Sequence, residues 1–401
     1  MGKSMNKKEI IKKEAEYLVN TYKRPDVVFV RGEGPYLFDS EGERYLDFAS
    51  GICVNALGHS DSEWVEGVCA QMKNLVHVSN LYHTGENVEL AEVLVNRSFA
   101  DRVYFSNSGA EANEAALKFA KKWARKSHSP DKVNVVSFEG GFHGRTAGAL
   151  SLTHKTNYRS PFEPLVPGVR FAPFNDLDAA NELIDDKTCA VFVEPVQGEG
   201  GVHEADKVFL VELKKICREH SAILAFDEIQ CGLGRTGSLW AYERYGVEPD
   251  IMTLAKPLAG GLPIGATLVT DDVARVIEPG DHGSTFAGGP LVCRAALIVL
   301  ERLTEKGFME NVRQRSAQLM EGIKSIGSSV VKEVRGAGLL VGVEMDMEDV
   351  APIIDSCREM GLLVIKAGPT VLRLSPPLTV EERQVKEALE ILADCLKKRN
   401  E

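Results

Sequence analysis

The chain has 401 residues, 44% of them hydrophobic and 26% charged, with a formal net charge of −11. That length allows two or three domain-sized units and a sizeable core, and the composition is ordinary for a soluble globular protein. The negative charge argues against a nucleic-acid partner, because phosphate backbones need basic patches, yet it leaves room for a local basic pocket that takes a small anion.

The chain starts MGKSMNKKEIIKKEAEYLVN, a mixture of Glu and Lys without an apolar signal core. This predicts a solvated helix, not an Arg- and Ser-rich, acid-poor transit peptide. Asn6 stands where a myristoylation signal wants Ser or Thr. No run approaches the ~18 apolar residues of a membrane span. The expectation is a protein of the cytoplasm, or of an organelle matrix if a targeting peptide was removed before this numbering. Next comes a hairpin-like stretch, PYLFDSEGERYLDF, and residues 1–60 are expected to pack with a small C-terminal domain.

From residue 100 to 270, short β-branched runs alternate with helical patterns. The candidate strands are residues 103–105, 133–138, 190–193, 222–226, 251–254 and 266–270. Such alternation predicts βαβ units and a mainly parallel sheet with helices on both faces. Ligands bind such sheets at the carboxyl ends of the strands, so residues 61–300 form the expected large, ligand-binding domain. After about residue 300 the pattern changes to helices flanking short strands at GLLVGVEMD, LLVIKAG and TVLRLSP. The last helix opens with Thr379 and Glu382 at capping-box spacing. Residues 301–401 therefore read as a smaller α+β domain. The eight cysteines are scattered without a C-x-x-C pair, which predicts reduced thiols and no metal site.

One motif points the wrong way. GLGRTG, at 232–237, matches the G-x-G-x-x-G phosphate fingerprint. The fingerprint needs a glycine turn directly between strand and helix, with an acid about 20 residues on. Here five residues separate Phe226 from Gly232, and no acid follows at a strand end. The acids before the glycines, Asp227 and Glu228, carry more weight.

Four features in chain order do fit one kind of ligand. In VYFSNSGAEANEAALKFA, a strand leads through Ser108, Gly109 and Ala110 into a strong helix, and the unpaired N–H groups at such a terminus attract an anion. In FEGGFHGRT, two glycines turn the chain after a strand and present Phe142 and His143. Asp227 ends its strand, placed to hold a proton on a heterocyclic nitrogen. Lys256, in DIMTLAKPLAGGLPIGA, follows an apolar strand; a buried lysine has a lowered pKa and becomes nucleophilic, as Schiff-base chemistry requires. Singly, each has a plain reading: a helix cap, a core Phe, a structural ion pair, a solvated lysine. Together they describe a pyridoxal-phosphate site.

The sequence resembles the class III (subgroup II) pyridoxal-phosphate aminotransferases, and among them the acetylornithine group. The resemblance spans nearly the whole chain, through SGICVNALGHSD, SNSGAEANEAALKFA, GGFHGRTAGALS, EPVQGEGGV, FDEIQCGLGRTG, AKPLAGGLPIGA and GSTFAGGP in order. It implies an α/β fold of the PLP-dependent transferase type I, working as a homodimer with shared active sites. Lys256 would hold the cofactor covalently and move the proton; Asp227 would pair with the ring nitrogen and Gln230 would reach the phenolic oxygen. Gly109, Ala110 and Ser108 would hold the phosphate, completed by Thr285 of the neighbouring subunit, and Phe142 would stack on the ring. Arg145 would bind the carboxylate distant from the reacting amine, with Tyr22 as a further candidate. Arg373 would bind the α-carboxylate of glutamate, and Glu199 would cover Arg373 when an ω-amine is bound. Glu199 and Arg373 can also be read as a fixed ion pair. Ala110 stands where many relatives have Thr, and Ala287 and Gly289 where they often have Gly and Asn, which puts local loop geometry in question.

The implied reaction moves the δ-amino group of N2-acetylornithine to 2-oxoglutarate by a ping-pong mechanism. The alternatives keep the cofactor and change the amine to 4-aminobutyrate, ornithine or succinylornithine. An isomerase would not need the dicarboxylate pair, and a relic binding protein would not need Lys256 and Asp227.

Overall fold

The computed structural model describes residues 5–397; the part of the N-terminal reading that rests on residues 1–4 lies outside them. The helix expected there is Lys7–Tyr17, opened by a capping box between Asn6 and Glu9 and with no buried residue, as its charged sequence requires.

All six expected strands are present, with ends displaced by two residues at most. They belong to a seven-stranded sheet that runs, in space, Arg102–Ser106, Gly265–Val269, Ile251–Leu254, Ile223–Asp227, Thr188–Val193, Asn134–Phe138, Val169–Ala172. The last five are mutually parallel, and Gly265–Val269 is antiparallel to both its neighbours. This is a mainly parallel α/β sheet. Its four adjacent members from Gly265–Val269 to Thr188–Val193 are buried along their whole length, which is why they read as continuous apolar runs without alternation. The seventh strand, Val169–Ala172, was not anticipated. It is a four-residue edge strand, carries Arg170 and is only partly buried, so its sequence resembles a loop.

The helix Gly109–Ser127 starts at the carboxyl end of Arg102–Ser106. Ser108 caps it, its Oγ accepting the Glu111 N–H at 3.2 Å. Small side chains at Ala112, Ala115, Ala116, Ala120 and Ala124 are buried and let the helix lie close to the sheet. Its last turn carries Arg125 and Lys126, which complement the helix dipole.

A second, antiparallel sheet runs Val331–Ala337, Leu340–Met345, Val371–Leu374, Ile365–Lys366. Three N-terminal strands form a meander whose last member, Arg44–Asp47, pairs in parallel with Leu362–Leu363, joining the start of the chain to its C-terminal part. The final helix begins at Glu382, so the cap lies two residues later than the Thr379 reading: Gln384 Oε1 accepts the Glu381 N–H at 2.6 Å. Residues 378 and 379 are held in a turn instead.

Candidate active site

The carboxyl ends of Ile223–Asp227, Ile251–Leu254 and the strands beside them open into a cleft of about 420 Å³. Ser108, Gly109, Ala110 and Phe142 line it, and so do Arg145, Glu199, Asp227, Gln230 and Lys256. Nine residues scattered over 149 positions of sequence thus reach one space.

At the floor, Asp227 is held by three donors. Its Oδ2 accepts Asn113 Nδ2 at 2.7 Å and His143 Nδ1 at 2.8 Å, and its Oδ1 accepts the Ile229 N–H at 3.0 Å. Asn113 is oriented in turn by Thr253 Oγ1 on its Oδ1 at 2.9 Å and by its own bond to the His143 carbonyl at 2.7 Å. The His143 ring is enclosed. Burial pushes its pKa down, but the bond to Asp227 and that residue's charge outweigh burial and leave it raised. His143 and Asn113, bonded to Oδ2 from behind, hold the Asp227 carboxylate at the cleft.

Glu194 joins two loops of the wall. Its Oε1 accepts the Phe142 N–H at 2.9 Å and its Oε2 the Gly198 N–H at 3.2 Å. Burial, opposed by His143 and assisted by Asp227, pushes its pKa up to about 7.

Lys256 follows Ile251–Leu254, at the start of a one-turn helix with Pro257. It is half-buried, not buried as the apolar strand before it suggests, and faces the cleft. Glu199 lies close enough to feel its charge. Burial pushes the Glu199 carboxyl up, while Arg373 and then Lys256 pull harder and hold it below its ordinary value. The Glu199–Arg373 pair is 2.8 Å long and uneven, with 1% of the arginine side chain exposed against 27% of the glutamate's. Arg373 Nη1 is also anchored to the Gly198 carbonyl and to Gln230 Oε1, both at 2.9 Å. The arginine is the more enclosed and more heavily bonded member; Glu199 Oε1 also takes Gln230 Nε2 at 3.4 Å.

Arg145 stands exposed at the rim, its guanidinium 3.6 Å above the Tyr158 ring and 5.6 Å from that of Phe142. It has no ion pair among the described residues, which leaves it open to an incoming carboxylate. Tyr22 and Thr285 are exposed and do not line this cleft. Tyr22 lies near Arg24, and Thr285 adjoins Ser284, whose Oγ takes a bond from Asn107 at 2.9 Å beside the helix N-terminus.

The space suits a flat, phosphorylated ring. At the anion end, a Cβ on Gly109 would come within 2.8 Å of Ile229 Cδ1. Gly144, at φ +133°, would come within 2.7 Å of the Ala110 Cβ if it carried one. At Gly109 and Gly144 only bare backbone fits, beside the N–H groups that begin the helix and have no intrahelical partner. An aromatic wall, a carboxylate and an amine face the remaining space.

The matches to known proteins agree. The family described as Aminotransferase class-III matches residues 17–396. The chain belongs to the class-III aminotransferases. It is 54% identical, over 97% of its length and 88% of the relative's, to the mitochondrial acetylornithine aminotransferase of Alnus glutinosa. Among solved structures it resembles the ornithine aminotransferase of Toxoplasma gondii, with a TM-score of 0.95 at 31% identity, covering 99% and 96% of the two chains. The N-acetylornithine aminotransferase of Stenotrophomonas maltophilia follows the same fold with a TM-score of 0.84 at 36% identity, over 97% and 99%. Class-III aminotransferases use pyridoxal 5′-phosphate, which supplies an electron sink for amino-group transfer when bound.

Four site residues were missed or left without a role by sequence reasoning. Asn113 carried a signal, since a fully buried Asn inside an alanine-rich helix needs a polar partner. Glu194 lies within the EPVQGEGG motif, at the carboxyl end of the strand next to Asp227's. His143 follows Phe142 in FEGGFHGRT, a motif that by itself gives the imidazole no partner. Tyr158 lies in a short helix, Thr156–Arg159, without a pattern to mark it.

Proposed function

We infer that this protein is an acetylornithine aminotransferase, moving the δ-amino group of N2-acetyl-L-ornithine to 2-oxoglutarate and giving N-acetyl-L-glutamate 5-semialdehyde and L-glutamate, a reaction of arginine biosynthesis. The observation that carries this reading is the uneven Glu199–Arg373 pair beside Lys256. One pocket must accept an ω-amine with no carboxylate near the reacting carbon, and then a dicarboxylate. A desolvated guanidinium left unpaired is costly, so Glu199 covers Arg373 in the first case and yields it in the second.

The lining of the cleft supports the other roles. The Gly109 and Ala110 N–H groups and Ser108 would hold the cofactor phosphate, Phe142 would cover the ring, Asp227 would hold the proton on the ring nitrogen, and Gln230 would reach the phenolic oxygen. Lys256 Nζ would hold the cofactor and would move the proton at the substrate carbon. Arg145, steadied on Tyr158, binds the carboxylate at the far end of acetylornithine; Tyr22, which does not line this cleft, has no part in it.

The working unit in this reading is a homodimer with shared sites, in which the partner subunit's Thr285 completes the phosphate site. An exposed apolar surface next to that loop supports it: Leu81, Tyr82 and Phe286 are 86%, 70% and 68% exposed, and Asn80 Nδ2 binds the Ser284 and Ala287 carbonyls at 3.1 and 2.9 Å. Residues 61–300 form the cofactor-binding domain and 301–401 the small domain, with 1–60 packed on the latter. Among the described residues no helix is long and apolar enough to cross a membrane; the proposed compartment is the cytoplasm or an organelle matrix.

The test compares acetylornithine, ornithine, succinylornithine and 4-aminobutyrate at fixed 2-oxoglutarate. Acetylornithine is expected to lead in kcat/KM by about tenfold or more. A lead by free ornithine or 4-aminobutyrate would overturn the assignment and keep the family.

A further inference from the structure

The glycine-rich loop that fails as a dinucleotide turn contains Arg235, which is 0% exposed. No carboxylate pairs with it among the described residues. Its Nη1 donates to the Leu339 carbonyl at 3.2 Å and to the Pro376 carbonyl, while Nε and Nη2 meet no acceptor. A guanidinium is an expensive group to bury on carbonyls alone, so the contacts it makes warrant an explanation.

Both acceptors belong to the C-terminal sheet region, and the surrounding loop is fastened to the same part. Leu339 N–H donates to the Arg235 carbonyl at 2.9 Å, and Arg313 Nη1 donates to the Gly237 carbonyl at 2.8 Å. Gly234, at φ +86°, lies so close that a Cβ would be 2.9 Å from Met309 Cε and 3.0 Å from Leu378 Cδ1. The glycines of the motif seat the loop against a neighbouring element and leave no room for a phosphate.

The position of Arg235 relative to Arg373 gives the loop a use. Gln230, five residues before Arg235, takes Arg373 Nη1 at 2.9 Å. Pro376, three residues after Arg373, takes Arg235 Nη1. Two segments are therefore tied twice, in opposite senses. The strand reaches the loop through one arginine, and the loop reaches the end of the strand through the other.

We propose that Arg235 is a positioning residue for Arg373, holding the Val371–Leu374 strand so that the Arg373 guanidinium, which lies behind the cleft-lining Glu199 and does not itself line the cleft, keeps its place when Glu199 leaves it for a dicarboxylate. The proposal rests on the reading that Arg373 binds the α-carboxylate. It makes Arg235 a determinant of the dicarboxylate half-reaction, although it touches neither substrate nor cofactor.

The experiment uses the holoenzyme and the variants Arg235→Lys, Arg235→Met and Arg373→Lys. Each half-reaction is followed separately by the absorbance of the bound cofactor, and glutarate, a dicarboxylate that cannot react, is titrated by calorimetry. Arg235→Lys is expected to weaken glutarate binding and to lower kcat/KM for 2-oxoglutarate by about tenfold, mainly through KM, while the acetylornithine half-reaction stays within about threefold. Arg235→Met is expected to lose more; if it does not fold, Arg235→Lys alone decides. Unchanged glutarate binding, or equal losses in the two half-reactions, overturns the proposal. Arg373→Lys separates the two levels. If it is selective for 2-oxoglutarate and Arg235→Lys is not, the positioning role fails and the function stands. If Arg373→Lys is not selective either, the role of Arg373 fails and takes this inference with it.

Discussion

Glu194 and Glu199 belong to one short segment, EPVQGEGG, and line one cleft, but they meet opposite surroundings. Glu194 is enclosed, each oxygen holding a backbone N–H, and burial drives its pKa up to about 7. Glu199 keeps 27% of its side chain exposed and faces two cations that hold its pKa down against burial. Backbone donors cannot move without moving the loops they belong to, so Glu194 fixes the wall. The cover role proposed for Glu199 requires this ion pair to exchange its anion for a substrate carboxylate. The kind of partner, more than the residue type, separates a clamp from a cover.

The largest expected effect sets the baseline for both. Lys256→Ala should reduce turnover in each half-reaction by about 10⁴-fold or more, with the melting curve and circular dichroism showing a folded protein. Activity retained in a folded variant would remove the lysine from the mechanism. Next, Glu194→Ala should lower both half-reactions together, by about 100-fold, because the loops bearing Phe142 and Gly198 lose a shared anchor. A loss confined to one half-reaction would make Glu194 a specificity residue and end the contrast. Glu199→Ala should be smaller and one-sided, costing the acetylornithine half-reaction about tenfold and the glutamate half-reaction less. Equal losses would contradict a movable cover.

The smallest effect is on stability against pH, and the two acids should differ in sign. Glu194 has a raised pKa, so the folded state favours its protonated form; that advantage is full below the ordinary value of 4.5 and is lost as pH rises toward about 7. His143, also raised, loses its contribution in the same direction above 6.5. Glu199 has a lowered pKa, so its contribution is present above 4.5 and lost as pH falls through its folded value. Melting temperatures of Glu194→Gln should therefore fall less than those of the parent between pH 5 and pH 7, roughly the window named. Glu199→Gln should flatten the acid side instead. Parallel profiles for all three proteins would mean that neither environment is as described.

Much of this was legible in the sequence because a buried parallel sheet writes itself plainly. Four fully buried strands cannot alternate, so their apolar runs stand out, and the chemistry falls where those runs stop, at Asp227 and just beyond Leu254 at Lys256. The edge strand Val169–Ala172 was lost for the opposite reason, since a half-exposed strand with an arginine has little pattern. Glu194 and Asn113 were lost because their partners are backbone groups and residues remote in sequence. A polar Asn113 inside an alanine-rich helix signals that a partner exists but not which one, and Glu194 carries no such signal. Tyr22 and Thr285 mark another limit: a loop's residues can be read, but a sequence does not say which cleft, or which copy's cleft, they serve.

The helix Gly109–Ser127 also acts as a ruler. Its first N–H groups face the anion end of the cleft, and Asn113, four residues on, meets Asp227 at the other. At about 1.5 Å per residue these two points are about 6 Å apart along the axis, and at about 100° of rotation per residue their relative direction is fixed as well. One extra residue placed between Ala110 and Asn113 would turn the asparagine away from Asp227 while leaving the anion site intact, so the two ends of the cofactor would no longer be held in register. The same insertion near Lys126, beyond both marks, would leave the measurement unchanged.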